Sequence, residues 1–150
     1  DINSVIKEAV EIVKVGTKAK DIIFENDLSK DIPVLPLIAD QIQQVFVNIL
    51  LNAVDAIAEK KREKKVEKIA VKSECNGDEV TITFSDTGMG INEENLNKVF
   101  EPFFTTKKEG KGTGLGLWVS YGIVKSFQGD IKIKSKFNEG TTFIIKLPIS

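Results

Sequence analysis

The sequence predicts an α/β domain, on three observations. An apolar stripe runs at helical spacing through Ile42, Val45, Phe46, Ile49, Leu50, Ala53 and Ile57. Two alternating segments, Ile69 to Ser73 and Val80 to Phe84, meet near Asn76-Gly77, a dipeptide that favours a tight hairpin turn. A helix over Leu115 to Phe127 then leads to a second strand pair, Ile131 to Ser135 and Thr142 to Leu147, across Asn138-Glu139-Gly140.

The remaining elements follow in order. Ile2, Val5, Ile6, Ala9, Val10 and Val13 predict a first helix, capped by Asn3 or Ser4 and ended by Gly16. Asp21 to Leu28 and Pro36 to Ala39, set around Pro33 and Pro36, suggest two strands, at least one near a sheet edge because proline cannot donate to a ladder. Asp40 stands where the long helix needs an N-cap, and Lys60, Lys61 and Arg62 suit its negative pole as a solvated helix end. Ile91 to Val99 suggests a short helix, and Gly129 a C′ residue closing the helix that starts at Leu115.

A chain of 150 residues fits one domain, and 41% hydrophobic with 29% charged residues is ordinary globular composition. With 21 basic and 22 acidic side chains the net charge is −1, which offers no electrostatic footprint for nucleic acid or an anionic membrane. Cys75 is the only cysteine, so no intrachain disulfide forms and a reducing, cytoplasmic setting is the simpler reading. Apolar stretches such as Phe46 to Val54 fall short of the roughly 18 residues a bilayer span needs, and no signal peptide precedes them. Direct membrane insertion of this domain is not expected. The start at Asp1, with Met89 the single methionine, suggests a piece excised from a longer protein.

Several short patterns carry possible chemistry. Asn48 and Asn52 share one face of the long helix with Gln44 and Asp55. Alone, such residues are the wet face of an amphipathic helix, although two neutral oxygens also suit Mg²⁺, which keeps waters and shares phosphate oxygens. Asp86 closes an alternating strand and opens Asp86-Thr87-Gly88-Met89-Gly90. That run reads either as an acidic turn or as a carboxylate matched to the exocyclic amine of adenine, with Gly88 and Gly90 allowing close backbone approach to the base.

The run Gly110-Lys111-Gly112-Thr113-Gly114-Leu115-Gly116 fails two familiar phosphate-loop patterns. A P-loop would need glycine at Thr105 and a hydroxyl at Gly112, and a dinucleotide fingerprint would need glycine at Leu117. What remains is a glycine-rich loop entering a helix, whose free N–H groups and positive pole suit a phosphate chain. Lys107, Lys108 and Lys111 could neutralise such a chain in a lid, with Lys108 the most readily explained as solvated.

Taken in this order, the motifs resemble the nitrogen box and the two glycine boxes of the ATP-binding domain of sensor histidine kinases. Phe100 to Lys107 is similar to that family's phenylalanine box, and Gly140-Thr141-Thr142-Phe143 to its final glycine motif. The resemblance runs from about Asp40 to Leu147 and looks most like the nitrogen-regulation type, on Ala53 to Ala56 and Glu101 to Lys107. It implies a two-layer α/β sandwich in which a mixed, mostly antiparallel sheet of about five strands carries about three helices on one face, with a flexible ATP lid.

The resemblance also implies the site. Asn52 would be the metal ligand with Asn48 beside it, and Asp86, Gly88 and Gly90 would meet the base. Asp55 would face the ribose or the rim, and Lys107, Gly112, Thr113, Gly114, Leu115, Gly116 and Thr141 would complete the ATP contacts. Asn48, Lys107 and Lys111 would act in catalysis. One departure is Gln43, where many relatives carry a basic residue near the γ-phosphate. Related ATPases and serine kinases of the wider superfamily place a glutamate where this chain has Asn48, and an amide cannot act as a general base.

A histidine acceptor needs no such base, because a neutral imidazole already offers a lone pair. The chain contains no histidine. The resemblance therefore implies Mg²⁺ and ATP as cofactors, a phosphoacceptor histidine on separate dimerisation helices of the same parent, and a response regulator downstream. The alternatives are an ATP-binding regulatory module, a serine kinase of the superfamily, and a purely structural domain. Phe100, Phe103 and Phe104 read as core or, around the lid, as a hinge that docks onto a partner, and Trp118 and Tyr121 read as core or interface.

Overall fold

In the computed structural model, residues 1–16, 22–59, 67–96, 98–101 and 116–149 are described. Helix α1 spans Ile2–Gly16, β1 Ile22–Leu28, α2 Ala39–Glu59, β2 Glu67–Asn76 and β3 Glu79–Asp86. They are followed by α3 at Glu93–Leu96, α4 at Gly116–Ser126, β4 at Asp130–Lys136 and β5 at Gly140–Pro148. The five strands form one sheet in the order β1-β2-β3-β5-β4. Only β1 and β2 are parallel, and the other three pairings are antiparallel. The expected mixed α/β sandwich is the observed one.

The helical layer comes from the predicted stripes. On α1, Ile2, Ile6, Ala9, Val10 and Val13 are buried, and on α2 so are Ile42, Val45, Phe46, Ile49, Leu50 and Ala53. They meet alternate side chains of the sheet: Ile69 and Val71 on β2, Val80, Ile82 and Phe84 on β3, and Phe143, Ile145 and Leu147 on β5. Phe46 and Phe84 join the layers with ring centroids 5.4 Å apart. Each fully buried side chain of this size contributes about 1.5–3 kcal/mol relative to exposure.

Local capping differs from expectation in three places. Asp1 caps α1, its Oδ1 accepting the Asn3 N–H at 3.0 Å. Asn3 is instead spent on the sheet, donating to Ser29 O at 2.6 Å and accepting from Ser73 Oγ at 2.8 Å. At the start of α2, Ile38 O accepts the N–H groups of Gln41 and Ile42, so Asp40 lies inside the first turn, where its charge still meets the positive pole.

At the end of α4 the left-handed residue is Gln128, with φ of 61°, and not Gly129. Gln128 N–H donates to Lys125 O and Gly129 N–H to Val124 O, the two bonds of a Schellman ending. Gly129 is required for another reason, since a Cβ there would stand 2.4 Å from Lys146 O.

Residues 36–38 form no strand. Pro33 and Pro36 deprive this stretch of two backbone donors, and buried Leu35 tacks it to the core before α2 begins. The edge strand expected beside it is β1. The β2–β3 hairpin turns at Gly77, which takes a positive φ of 63°. Its short helical neighbour in the predicted 91–99 segment is reduced to α3. The basic end foreseen for α2, Lys60 to Arg62, lies outside the described residues.

Candidate functional site

Asp86 is the last residue of β3 and lies opposite Thr141 of β5. Both are buried, at 8% and 6% exposure. The carboxylate Oδ1 accepts the Gly88 N–H at 2.8 Å. A buried carboxylate is sustainable only with such donors, and here it is set at the mouth of a strand pair, facing the layer of helices.

The loop after Asp86 is fastened on three sides. Towards β2, Thr87 N–H donates to Lys68 O at 3.2 Å, while Thr87 Oγ1 donates to Glu67 Oε2 at 2.6 Å and accepts the Lys68 N–H at 2.9 Å. Towards α2, Met89 N–H donates to Ala56 O at 3.0 Å, and a Cβ on Gly88 would fall 2.7 Å from the Ala56 backbone carbon. Towards the β4–β5 hairpin, Asn138 N–H donates to Met89 O. There Gly90, at φ of 74°, passes so close that a Cβ would stand 2.2 Å from Lys136 O. Where the sequence suggested glycines clearing space for a base, the space a Cβ would take at Gly88 and Gly90 is filled by the protein's own backbone.

Helix α2 is the common support. Asn48, Asn52 and Asp55 are half-buried along it, and Ala56, four residues past Asn52, carries the glycine loop. At the other end of this face, Asn48 Nδ2 donates to Gly116 O at 3.3 Å and to Ser120 Oγ at 3.2 Å. The amide of Asn48 therefore ties α2 to the first turn of α4. Gly116 itself could bear a Cβ, which would meet Asn48 Cγ at 3.8 Å, an ordinary contact. One helix thus holds the loop after Asp86 and the positive pole of α4. Gln43 is turned away to α1, its Nε2 donating to Glu8 Oε2 at 2.9 Å.

Lys107, Lys111, Gly112, Thr113, Gly114 and Leu115 lie outside the described residues, as do Phe103 and Phe104. Phe100 packs against Tyr121 with centroids 5.4 Å apart and edge-on to Phe143 at 6.4 Å. Trp118 is 48% exposed and Tyr121 38%, so neither is core. The sequence reading missed Ala56, Ser120 and Ser135. Ser135 Oγ accepts the Ile91 N–H at 2.7 Å, donates to Gly140 O at 3.0 Å and lies 2.8 Å from Thr141 Oγ1. Nothing in their residue types distinguishes them from ordinary helix and strand fillers.

A buried acid at a strand end, a polar helix face and a helix N-terminus are thus joined at one end of an α/β sandwich. Residues 38–150 match the family described as histidine kinase-, DNA gyrase B-, and HSP90-like ATPase, and the chain belongs to that family. It is 33% identical over 148 residues to sporulation kinase E of Bacillus subtilis, covering 99% of this chain and 19% of that protein. It is 33% identical over 150 residues to the sensor histidine kinase ZraS of Escherichia coli K12, covering all of this chain and 30% of ZraS.

Among solved structures, the catalytic domain of the histidine kinase ThkA superposes with a TM-score of 0.81 at 29% identity, over 99% of this chain and 94% of that one. The chain spans about a fifth to a third of the length of these two curated relatives. It is homologous to the catalytic domains of sensor histidine kinases. None of the described helices is long and apolar enough to cross a membrane.

Proposed function

We propose that this chain binds Mg-ATP and delivers the γ-phosphoryl group to a histidine on separate dimerisation helices of its parent, from which a response regulator is phosphorylated. The observation that carries the reading is the Met89 to Ala56 hydrogen bond. It joins the loop behind Asp86 to the same helix that bears Asn48 and Asn52, so motifs distant in sequence share one support.

The donor set fits the ligand. Asp86 and Thr141 offer a buried acidic and hydroxyl edge suited to a purine bearing an amine. Neutral amide oxygen at Asn52 suits Mg²⁺, which takes most of its shell from water and phosphate. Asn48, with its nitrogen given to α4, keeps the helix N-terminus beside the phosphate end. Asp55 would face the ribose or the rim, and Lys107 and Lys111, with Gly112 to Leu115, would close over the phosphates. ATP supplies the transferable group. The protein's work is to position it and balance its charge, and the acceptor imidazole needs no base from this chain.

The test is phosphoryl transfer from labelled ATP to the parent's own dimerisation helices, added to this chain in trans. An acid-labile, base-stable phosphohistidine is expected. Acid-stable phosphoserine, or ATP binding with no transfer at all, would replace this reading with the serine-kinase or regulatory-module alternative.

A further inference from the structure

We propose that Ser135 is a positioning residue for the purine side of the site, an inference that rests on the nucleotide reading above. Ser135 lies on β4, two strands away from Asp86, and belongs to none of the glycine or asparagine motifs. Its hydroxyl makes three contacts on the helix-facing side of the sheet. It accepts the Ile91 N–H at 2.7 Å, donates to Gly140 O at 3.0 Å and meets Thr141 Oγ1 at 2.8 Å.

A serine hydroxyl has one proton and two lone pairs. With the proton on Gly140 O, the lone pairs are filled by Ile91 N–H and by the Thr141 hydroxyl proton. Every capacity of Ser135 is then used, and Thr141 is left presenting an acceptor beside Asp86, its register partner. The same hydroxyl fixes where the glycine loop leaves the site, because Ile91 directly follows Gly90. One side chain therefore sets both the orientation of Thr141 and the exit of the loop anchored at Asp86.

A matched control stands one residue from Asp86 on β3 and one residue from Thr141 on β5. Ser85 Oγ and Thr142 Oγ1 are 3.0 Å apart and form the same kind of cross-strand hydroxyl pair. Successive strand residues face opposite sides of a sheet, so this pair points away from the helices and touches no part of the glycine loop.

The experiment is calorimetric titration of the chain with a nonhydrolysable ATP analogue and Mg²⁺, alongside thermal melts, for wild type, Ser135→Ala, Ser135→Thr and Ser85→Ala. Ser135→Ala should weaken binding by about tenfold, the scale of losing one or two neutral hydrogen bonds. Ser135→Thr, which keeps a hydroxyl on the same Cβ, should recover most of that loss, and Ser85→Ala should bind as wild type even where its melting temperature falls. If Ser135→Ala binds as wild type, or Ser85→Ala weakens binding equally, the positioning role is wrong while the nucleotide reading stands. If wild type binds nothing, the nucleotide reading fails and takes this inference with it.

Discussion

Asp86 and Gly140 touch backbone to backbone at the end of the β3–β5 ladder: a Cβ on Gly140 would stand 2.1 Å from Asp86 O. Gly140 holds φ of 136°, a conformation that side chains resist. The acid is thereby seated against the following hairpin before any ligand arrives, and Thr141 is carried into register with it.

Asp86→Asn should keep the fold, since an amide oxygen can still accept the Gly88 N–H. Losing a charge-assisted bond costs about 1.5–3 kcal/mol, so the affinity for ATP should fall roughly 10- to 100-fold, and the preference over GTP should narrow. Competition titrations with both nucleotides measure each effect.

Asn52→Ala should instead reduce the gain in affinity that Mg²⁺ confers, leaving metal-free binding nearly unchanged. Titrations with and without the cation separate the two substitutions. Indistinguishable behaviour of the Asn52 and Asp86 variants would contradict their separate roles.

Asn48→Ala removes the two bonds that its amide makes to α4. A stability loss of about 1–3 kcal/mol is expected, the scale for partly buried partners left unsatisfied. Urea unfolding with an unchanged m-value would register it.

Gly77 and Gly90 offer a paired test of why glycine is needed. Both hold positive φ, at 63° and 74°, but a Cβ at Gly77 meets nothing within 4 Å while one at Gly90 meets Lys136 O at 2.2 Å. Gly77→Ala should cost about 1–2 kcal/mol from conformation alone. Gly90→Ala should cost more, by about 1–3 kcal/mol of backbone displacement, and should also weaken ATP binding. Denaturation midpoints of the two variants give the comparison.

Among the described residues, Asp130 contributes to acid stability. A hydrogen bond from Lys125, 3.0 Å away, holds the Asp130 carboxyl below its ordinary value of 3.8. A group depressed in the folded state stabilises above its unfolded pKa, and that contribution fades as pH falls through the lowered value. Asp130→Asn should therefore flatten the melting-temperature profile below about pH 4, with a small amplitude because both partners are more than two-fifths exposed.

Much of the architecture was legible in the residues. The 3.6-residue stripes on α1 and α2 and the two hairpins became elements because burial on one face leaves a periodic mark. Pro36 to Ala39 misled because apolar residues beside proline also occur where a linker tacks onto a core. Gln128 was missed as the residue ending α4 because Gly129, next to it, is the usual choice for a left-handed position. In the site, Asp86, Asn48 and Thr141 were readable from motif resemblance, and the structure brings Asp86 to Thr141 and Asn48 to Gly116. The reason for Gly88 and Gly90 was not readable, since it depends on Ala56 and Lys136, which only the tertiary fold brings near. Ser135 gave no signal, because one hydroxyl among the lysines of β4 looks like any exposed strand residue.

The parallel pairing of β1 with β2 encloses the whole of α2, whereas both hairpins close over a few residues. Loop-closure entropy makes such a distant union costlier than adjacent zippering, and β1, at an edge, is held by one neighbour alone. Under mild denaturant, amide protons of Ile22–Leu28 should thus exchange ahead of those in the remaining strands, marking the rim of the molecule as its first region to open.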